Sequence, residues 1–266
     1  MDFINDSDHF DQHFLKDQNI IDRFIKECNL NMSDVVVEIG PGKGDISSII
    51  AKEVKKLYCI ELDERLKPFL DKLVSENDNV EIIWGSALDV HIPTCNKIIT
   101  CLPYSIVEPF IHKIARCKFD EAIMITGERF ASNVVKKEIN MLSLYTNCYF
   151  ESEKIMDILP DAFEPAPRVL SSIIKLKPIT EKDIKDFNLL FFRYMFFFQG
   201  KKIKNALIES LIKIYNTRYN EVLTQRNAKE MIGNLNLEEN ILSKTFETCS
   251  NDELKVVYNV VKSLEK

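Results

Sequence analysis

The stretch Val37-Glu38-Ile39-Gly40-Pro41-Gly42-Lys43-Gly44 continues an apolar run that begins at Val35, and it decides the fold. Glycines at the end of a strand let the backbone turn sharply and let a ligand approach main-chain N–H groups. The next apolar run, residues 57–60, ends at one acidic residue, Glu61. A carboxylate at that tip accepts both hydroxyls of a ribose. The stretch therefore predicts a nucleotide cradle at the end of a buried strand.

The spacing of the glycines favours a nucleoside without phosphates. Gly40, Gly42 and Gly44 follow the pattern G-x-G-x-G, and Asp45 stands where the dinucleotide fingerprint has its last glycine. A pyrophosphate turn is the poorer fit, so the pattern points to S-adenosylmethionine as cofactor, with Gly40, Gly42 and Glu61 as binding residues. The alternative is a tight connection without a ligand. The strand before the turn and the acid after it favour the nucleotide site.

Apolar runs of strand length alternate with helical patterns in the first half of the chain. The runs are residues 35–39, 57–60, 80–84, 97–100 and 122–126. Alternation of this kind predicts right-handed βαβ crossovers and an α/β fold with a parallel sheet between helices. Ligands of such sheets bind at the carboxyl ends of the strands.

The pattern changes beyond Glu138. Extended runs at residues 142–150 and 169–176 predict an antiparallel edge that completes the sheet, and the remainder of the chain is helical in pattern. We therefore expect a cofactor-binding domain over residues 1–178 and a small all-α domain over residues 179–266.

Composition excludes several classes of protein. The chain has 266 residues, 45% of them hydrophobic and 29% charged, with a net charge of −6. Its longest apolar run, residues 187–198, is too short to cross a bilayer and is typical of a buried helix face, so no membrane partner is expected. Scattered cysteines and histidines without ligand spacing predict free thiols and no metal site. With no basic signal segment near the N-terminus, we expect a cytoplasmic protein.

Positive charge is concentrated in one segment of this acidic chain. Residues 193–229 contain eight basic and two acidic side chains. Such a cluster is either a phosphate contact or the solvated face of a helix, and composition leaves both interpretations open.

A second set of candidate site residues follows the strand predicted at residues 97–100. Cys101-Leu102-Pro103-Tyr104 lies between that strand and a helix, beside the predicted cofactor position. This segment resembles the catalytic Asn-Leu-Pro-Tyr motif of the ribosomal RNA adenine dimethyltransferases, with Cys101 in place of asparagine.

Other segments resemble the same family in the same order along the chain, closest to its archaeal and eukaryotic branch. They are the cofactor-covering segment Asp11-Gln12-His13-Phe14-Leu15, residues 37–44 with Glu61, Phe163-x-Pro165-x-Pro167, and the basic stretch Gly200-Lys201-Lys202-Ile203-Lys204. The resemblance implies a class I methyltransferase, with a Rossmann-like, mostly parallel seven-stranded sheet and a small C-terminal all-α domain. It also implies a monomer that dimethylates two adjacent adenosines near the 3′ end of small-subunit ribosomal RNA.

The resemblance assigns roles to individual residues. The catalytic set is Cys101, Leu102, Pro103, Tyr104 and Phe163. The resemblance implies that the target adenine lies between Tyr104 and Phe163. The cofactor-binding set is Gln12, His13, Leu15, Gly40, Gly42, Glu61, Ser86 and Cys101. The lysines that meet ribosomal RNA or the assembling small subunit are Lys201, Lys202 and Lys204.

Two positions depart from the family pattern and keep a second function open. Cys101 is a weak acceptor where an amide oxygen is expected, and Ser86 stands where the family has an aspartate that binds the adenine amine of the cofactor. The alternative is therefore a catalytically weakened relative that binds ribosomal RNA as an assembly factor. A methyltransferase acting on DNA or a small molecule is a third possibility, for which the lysines would be dispensable.

Overall fold

The computed structural model describes residues 12–266, so Asp11 of the predicted cofactor-covering segment lies outside the described residues. The described chain forms two compact units. The first consists of residues 12–135 and 151–178, and the second of residues 136–150 and 179–266. The sequence placed residues 136–150 in the first domain, whereas in the structure they pack with the helical unit.

The first unit is built on a seven-stranded sheet and a short two-stranded sheet. The strands are β1 (Phe14–Leu15), β2 (Val35–Ile39), β3 (Lys56–Glu61), β4 (Val80–Trp84), β5 (Lys97–Cys101), β6 (Glu121–Gly127), β7 (Phe150–Ile158), β8 (Phe163–Glu164) and β9 (Ser171–Pro178). The large sheet has the order β4-β3-β2-β5-β6-β9-β7, and β1 pairs with β8. Strands β2 to β6 pair in parallel, and β9 runs antiparallel to β6.

Helices connect the parallel strands, as the alternating pattern predicts. Helix α1 (Gln18–Cys28) precedes β2, helices α2 (Asp45–Ile50), α3 (Lys67–Glu76) and α4 (Val107–Ile114) each join two parallel strands, and α5 (Glu128–Val135) follows β6. Helix α1 begins where the Asp17 side chain accepts hydrogen bonds from the N–H groups of Asn19 and Ile20, and it ends at Asn29 in the left-handed region. Its apolar face packs into the core that also covers β2, β3 and β5.

The prediction of a strand over residues 142–150 is wrong, because that segment is helix α6 (Met141–Tyr149). The side chain of Asn140 accepts a hydrogen bond from the Ser143 N–H, which caps the first turn. Six consecutive residues, 143–148, are buried, so the helix shows no amphipathic period. The strand that extends the sheet edge is β7, which starts where α6 ends.

The second unit is entirely helical, as expected for the C-terminal part. Besides α6 it contains α7 (Phe187–Phe197), α8 (Ile203–Tyr219), α9 (Gln225–Gly233), α10 (Glu239–Ser243) and α11 (Asn251–Val261). Helix α7 is the centre of the unit, because residues on all of its faces are buried. Asn188 on α7 donates from its amide to the Tyr258 carbonyl at 3.0 Å, which ties α7 to α11.

Two further observations concern membranes and metals. Within residues 12–266, no helix is both long enough and apolar enough to span a membrane. The same part of the chain contains no group of three or more His, Cys, Asp or Glu side chains arranged to hold a metal ion.

Candidate functional site

A cavity opens at the carboxyl ends of β2, β3 and β5 in the first unit. From β2 the chain builds the sheet outward through β3 to β4, and it then returns to add β5 and β6 on the other side of β2. The crevice therefore lies where the strand order reverses, which is the usual ligand position in open α/β sheets.

The glycine turn after β2 forms one wall of this cavity. Gly40 has φ of 68° and its N–H donates to the Ile60 carbonyl at 3.0 Å, so the turn is fastened to the end of β3. Gly42 has φ of 59°, and a Cβ added there would lie 3.0 Å from Cε1 of Phe14. Both the backbone angle and the neighbouring ring thus require glycine at position 42.

Glu61, at the tip of β3, is held in a fixed orientation by backbone donors. Its Oε1 accepts from the N–H groups of Leu62 and Asp63, both at 2.8 Å, and its Oε2 accepts from the Gly42 N–H at 3.2 Å. Burial raises the pKa of the Glu61 carboxyl, while these three N–H donors act in the opposite direction. Three of roughly four acceptor positions on the carboxylate are occupied, which leaves Oε2 able to accept a further hydroxyl.

The predicted cofactor-covering segment lies across the same cavity. Gln12 Nε2 donates to Asp63 Oδ2 at 3.4 Å, and Leu15 is paired with Phe163 across β1 and β8. His13 Nδ1 is 2.8 Å from the Pro165 carbonyl oxygen. The segment thus joins the tip of β3 to the Phe163-x-Pro165 stretch.

The segment after β5 forms the opposite wall. Leu102 is buried and its N–H donates to the Ile125 carbonyl at 3.1 Å, which fixes the segment to β6. The Tyr104 ring stacks on His13, with centroids 6.1 Å apart and 28° between the planes. Its hydroxyl is hydrogen-bonded to the Ser171 hydroxyl.

Cys101, which ends β5, carries a protonated thiol at neutral pH. Burial, with a smaller effect from the nearby Glu38 charge, raises the pKa of Cys101 to about 12. A thiol in that state is a weak hydrogen-bond acceptor and a poor nucleophile.

Ser86 lies in the turn after β4. Its hydroxyl oxygen accepts a hydrogen bond from the Leu88 N–H at 3.1 Å, so the side chain closes its own turn while lining the cavity. One lone pair of the oxygen remains for a ligand.

All twelve residues predicted for the catalytic and cofactor-binding sets line this one cavity. Their roles stay predictions, and one placement bears on the role of Phe163. Its side chain is only 1% exposed and belongs to the hydrophobic core, so it supports the wall from inside the fold.

Sequence reasoning missed Glu38 as a component of the site. Glu38 lies on β2 opposite Cys59 and Ile99, is 3% exposed and lines the cavity. Burial raises its pKa to about 7, with the charge of Glu61 adding to the effect. An acid inside the otherwise apolar strand Val35–Ile39 was the available signal, since carboxylates are seldom buried and strongly perturbed ones cluster at functional sites.

The predicted RNA-contacting lysines lie in the second unit, at the start of α8, and all three are exposed. Lys201 Nζ is 3.1 Å from Glu209 Oε1, and Lys204 Nζ is 3.8 Å from Glu239 Oε1. Pairs this exposed contribute little stability. Two other basic residues of the cluster have structural contacts, since Arg193 donates to two backbone carbonyls and Arg218 pairs with Glu265.

Comparison with known sequences gives consistent matches along most of the chain. The family model described as ribosomal RNA adenine dimethylase matches residues 4–243. The probable ribosomal RNA small subunit methyltransferase A of Methanosarcina barkeri is 38% identical over 264 residues, covering 96% of this chain and 88% of the relative. The protein of the same description from Methanococcus maripaludis strain C6 is 36% identical over 248 residues, covering 89% and 91%.

Two solved structures share the fold. A dimethyladenosine transferase from Plasmodium falciparum superposes with a TM-score of 0.64 at 24% identity, covering 94% of this chain and 98% of its own. The 23S rRNA methyltransferase ErmE superposes with a TM-score of 0.60 at 20% identity, covering 94% and 99%. The predicted α/β fold, with its mostly parallel seven-stranded sheet and helical C-terminal part, is confirmed.

Proposed function

Since the chain belongs to the ribosomal RNA adenine dimethylase family, we propose that it is a class I methyltransferase that uses S-adenosylmethionine to methylate adenosines of small-subunit ribosomal RNA. The proposed product carries two methyl groups on each 6-amino group of two adjacent adenosines near the 3′ end. One observation carries the proposal. The glycine turn, Glu61 and the Cys101–Tyr104 segment, which are far apart in the chain, line the same cavity.

The cavity fits the cofactor on the residues present. Gly42 leaves room at the turn that a Cβ would fill against Phe14, and Glu61 is held by three N–H donors with one acceptor position remaining. In the proposal, Glu61 Oε2 accepts a ribose hydroxyl, Ser86 faces the adenine amine, and Gln12, His13 and Leu15 cover the ligand. Leu62, which is exposed beside Glu61, adds apolar surface for the adenine ring.

S-adenosylmethionine supplies a methyl group on a sulfonium, and its direct transfer to an amine depends mainly on alignment of the two partners. The protein therefore has to hold the target amine and draw its lone pair out of conjugation with the ring. We assign this to the Leu102 carbonyl, because the Cys101 thiol is protonated and accepts weakly. Tyr104 stacks on the target base once the base is turned out of its helix.

The lysines at the start of α8 belong to the same proposal. Lys201, Lys202 and Lys204 would contact phosphates of the RNA, and the protein would act as a monomer in the cytoplasm. Support comes from their exposure and from the absence of acidic residues in the first turn of α8.

A second function is favoured by one pair of observations. The Cys101 thiol is a poor acceptor, and the Ser86 hydroxyl is already engaged by the Leu88 N–H. Both features weaken the cavity as a catalytic site, as in an assembly factor that binds ribosomal RNA without methylating it.

One experiment separates the two functions. Purified protein is incubated with methyl-labelled S-adenosylmethionine and small ribosomal subunits that lack the adenosine methyl groups, and the 3′-terminal fragment is analysed by mass spectrometry. The enzyme predicts a mass increase of two methyl groups on each of two adjacent adenosines. Tight binding to the subunits with no methyl incorporation and no calorimetric signal for the cofactor would identify the assembly factor.

A further inference from the structure

An exposed aromatic side chain lies beside the lysines of the second unit. Phe197, the last residue of α7, is 78% exposed, although the rest of this helix is the buried centre of the unit. A singly exposed apolar side chain is common on protein surfaces, so the exposure of Phe197 gains meaning from the charged groups beside it. Sequence reasoning assigned the whole run of residues 187–198 to a buried helix face.

The surroundings of Phe197 are ordered by contacts within the second unit. The Phe198 ring meets the Phe197 ring edge-on, with centroids 5.2 Å apart and 87° between the planes. Lys201 Nζ lies over the Phe198 ring at 5.0 Å, and the Lys201 N–H donates to the Phe198 carbonyl at 2.8 Å. A short, hydrogen-bonded connection thus holds Lys201 against the Phe198 ring, which packs edge-on against the Phe197 ring.

The surface beside this ring is open and carries two exposed lysines, Lys201, which is paired with Glu209, and Lys202. Lys202 precedes α8, whose first turn contains no acidic residue, so the positive end of the helix dipole adds to the charge of the lysines. A Cβ added at Gly200 would meet nothing within 4 Å, so a ligand can approach the backbone there.

We propose that Phe197 is a base-stacking residue, and that Phe197, Phe198, Lys201 and Lys202 form a platform for an unpaired nucleotide of the RNA. The inference rests on the proposed function, because it takes RNA as the substrate. Lysines that hold phosphates next to an exposed ring are the arrangement by which proteins bind unpaired nucleic acid, since every base offers a face for stacking. Paired bases are already stacked and present no face to the ring.

Two other occupants fit the surface less well. A second copy of the chain would bring the same lysines against each other, and this repulsion opposes a symmetric contact. A membrane surface is usually bound by a helix with a continuous apolar face, whereas α7 is buried and offers one ring.

The test compares two RNA probes and a set of variants by fluorescence anisotropy. One probe is a small-subunit 3′-terminal hairpin with its unpaired nucleotides, and the other is a fully paired duplex of the same length. Phe197→Ala should weaken binding to the hairpin by about five- to thirtyfold and leave duplex binding within twofold. Phe197→Tyr should retain wild-type affinity.

Two control variants separate stacking from charge and from general loss of apolar surface. Val222 is 90% exposed in the same unit, and Val222→Ala should change neither affinity. Lys202→Ala should weaken binding to both probes and reduce the slope of log affinity against log salt by about 0.7, while Phe197→Ala should leave that slope unchanged.

Phe197→Trp gives a direct readout, because Trp84 in β4 is the single tryptophan of the chain. Stacking predicts that the hairpin quenches the added fluorescence. Equal hairpin affinity of wild type and Phe197→Ala would overturn this inference and leave the proposed function standing. The same holds for a blue shift of the Phe197→Trp emission on adding anionic phospholipid vesicles, or for a dimer that the Phe197→Ala substitution dissociates. If the wild-type protein bound neither RNA, both this inference and the proposed function would fail.

Discussion

Replacing Glu38 with glutamine should stabilise the first unit at alkaline pH. The Glu38 carboxyl is 3% exposed, and burial raises its pKa from the ordinary 4.5 to about 7. Because the folded state binds this proton more tightly than the unfolded state, the contribution of Glu38 to stability is greatest below pH 4.5. That contribution is lost as the pH rises through 7.

The expected size follows from the two pKa values. Each unit of difference corresponds to ~1.4 kcal/mol, so the ionised carboxylate lowers the free energy of unfolding by roughly 3 kcal/mol at pH 8. At pH 5 most of this effect is absent, because the folded carboxyl is still protonated. Glu38→Gln removes the titrating group and keeps its shape. The free energy of unfolding of the variant, relative to that of wild type, should therefore rise by about 2 to 3 kcal/mol between pH 5 and pH 8.

Urea unfolding measures this difference, and the single tryptophan reports on the correct unit. Trp84 lies in β4, so its fluorescence follows the sheet that contains Glu38. Glu81→Gln is the control, since Glu81 lies on the strand of Trp84 and is exposed, and an ion pair at the surface, such as the one it makes with Lys56, contributes little stability. If the free energies of unfolding of wild type and Glu38→Gln changed in parallel with pH, the reasoning would be refuted, because Glu38 would then not be buried in charged form at pH 8.

Three further substitutions test the walls of the cavity. Gly42→Ala should lower the free energy of unfolding by about 1 to 2 kcal/mol in the urea assay, because φ at position 42 is positive and Phe14 lies 3.0 Å from the added Cβ. Gly200→Ala is the control and should leave the free energy of unfolding unchanged. Cys101→Asn should raise the rate of methyl transfer about fivefold by supplying an amide acceptor worth ~1 kcal/mol, and an unchanged rate in the methylation assay would contradict the assignment of the amine position. Ser86→Asp should tighten calorimetric binding of S-adenosylmethionine about tenfold, and unchanged affinity would place the adenine amine elsewhere.

The parts of the site that could be predicted from sequence are those set by local rules. The turn at Gly40 to Gly44 needs positive φ, and Glu61 ends the next strand, so both are fixed by residue type and position in the chain. Their convergence with Cys101 follows from parallel pairing, because the ends of neighbouring strands meet at one edge of the sheet.

The parts that could not be predicted depend on which face of an apolar segment is covered. Residues 142–150 look like a strand because their apolar content has no helical period, and the cap at Asn140 is the single local sign of a helix. Phe197 ends an apolar run in which most residues of α7 are buried, so sequence alone gives no reason to expose it. Burial of this kind is decided by the partner helices and not by the segment itself.

The electrostatics of the cavity explain why a destabilising acid is compatible with the proposed ligand. Glu38 and Glu61 both line the wall, burial raises the pKa of each, and the Glu61 charge further disfavours ionisation of Glu38. A cationic ligand in the cavity would reverse that balance, because an opposite charge favours the ionised carboxylates and offsets their loss of water. S-adenosylmethionine carries such a charge on its sulfonium, so the acids that weaken the fold would strengthen binding. It follows that the stability gained by Glu38→Gln should be accompanied by weaker cofactor binding, which is the expected relation for a side chain held in place for the ligand.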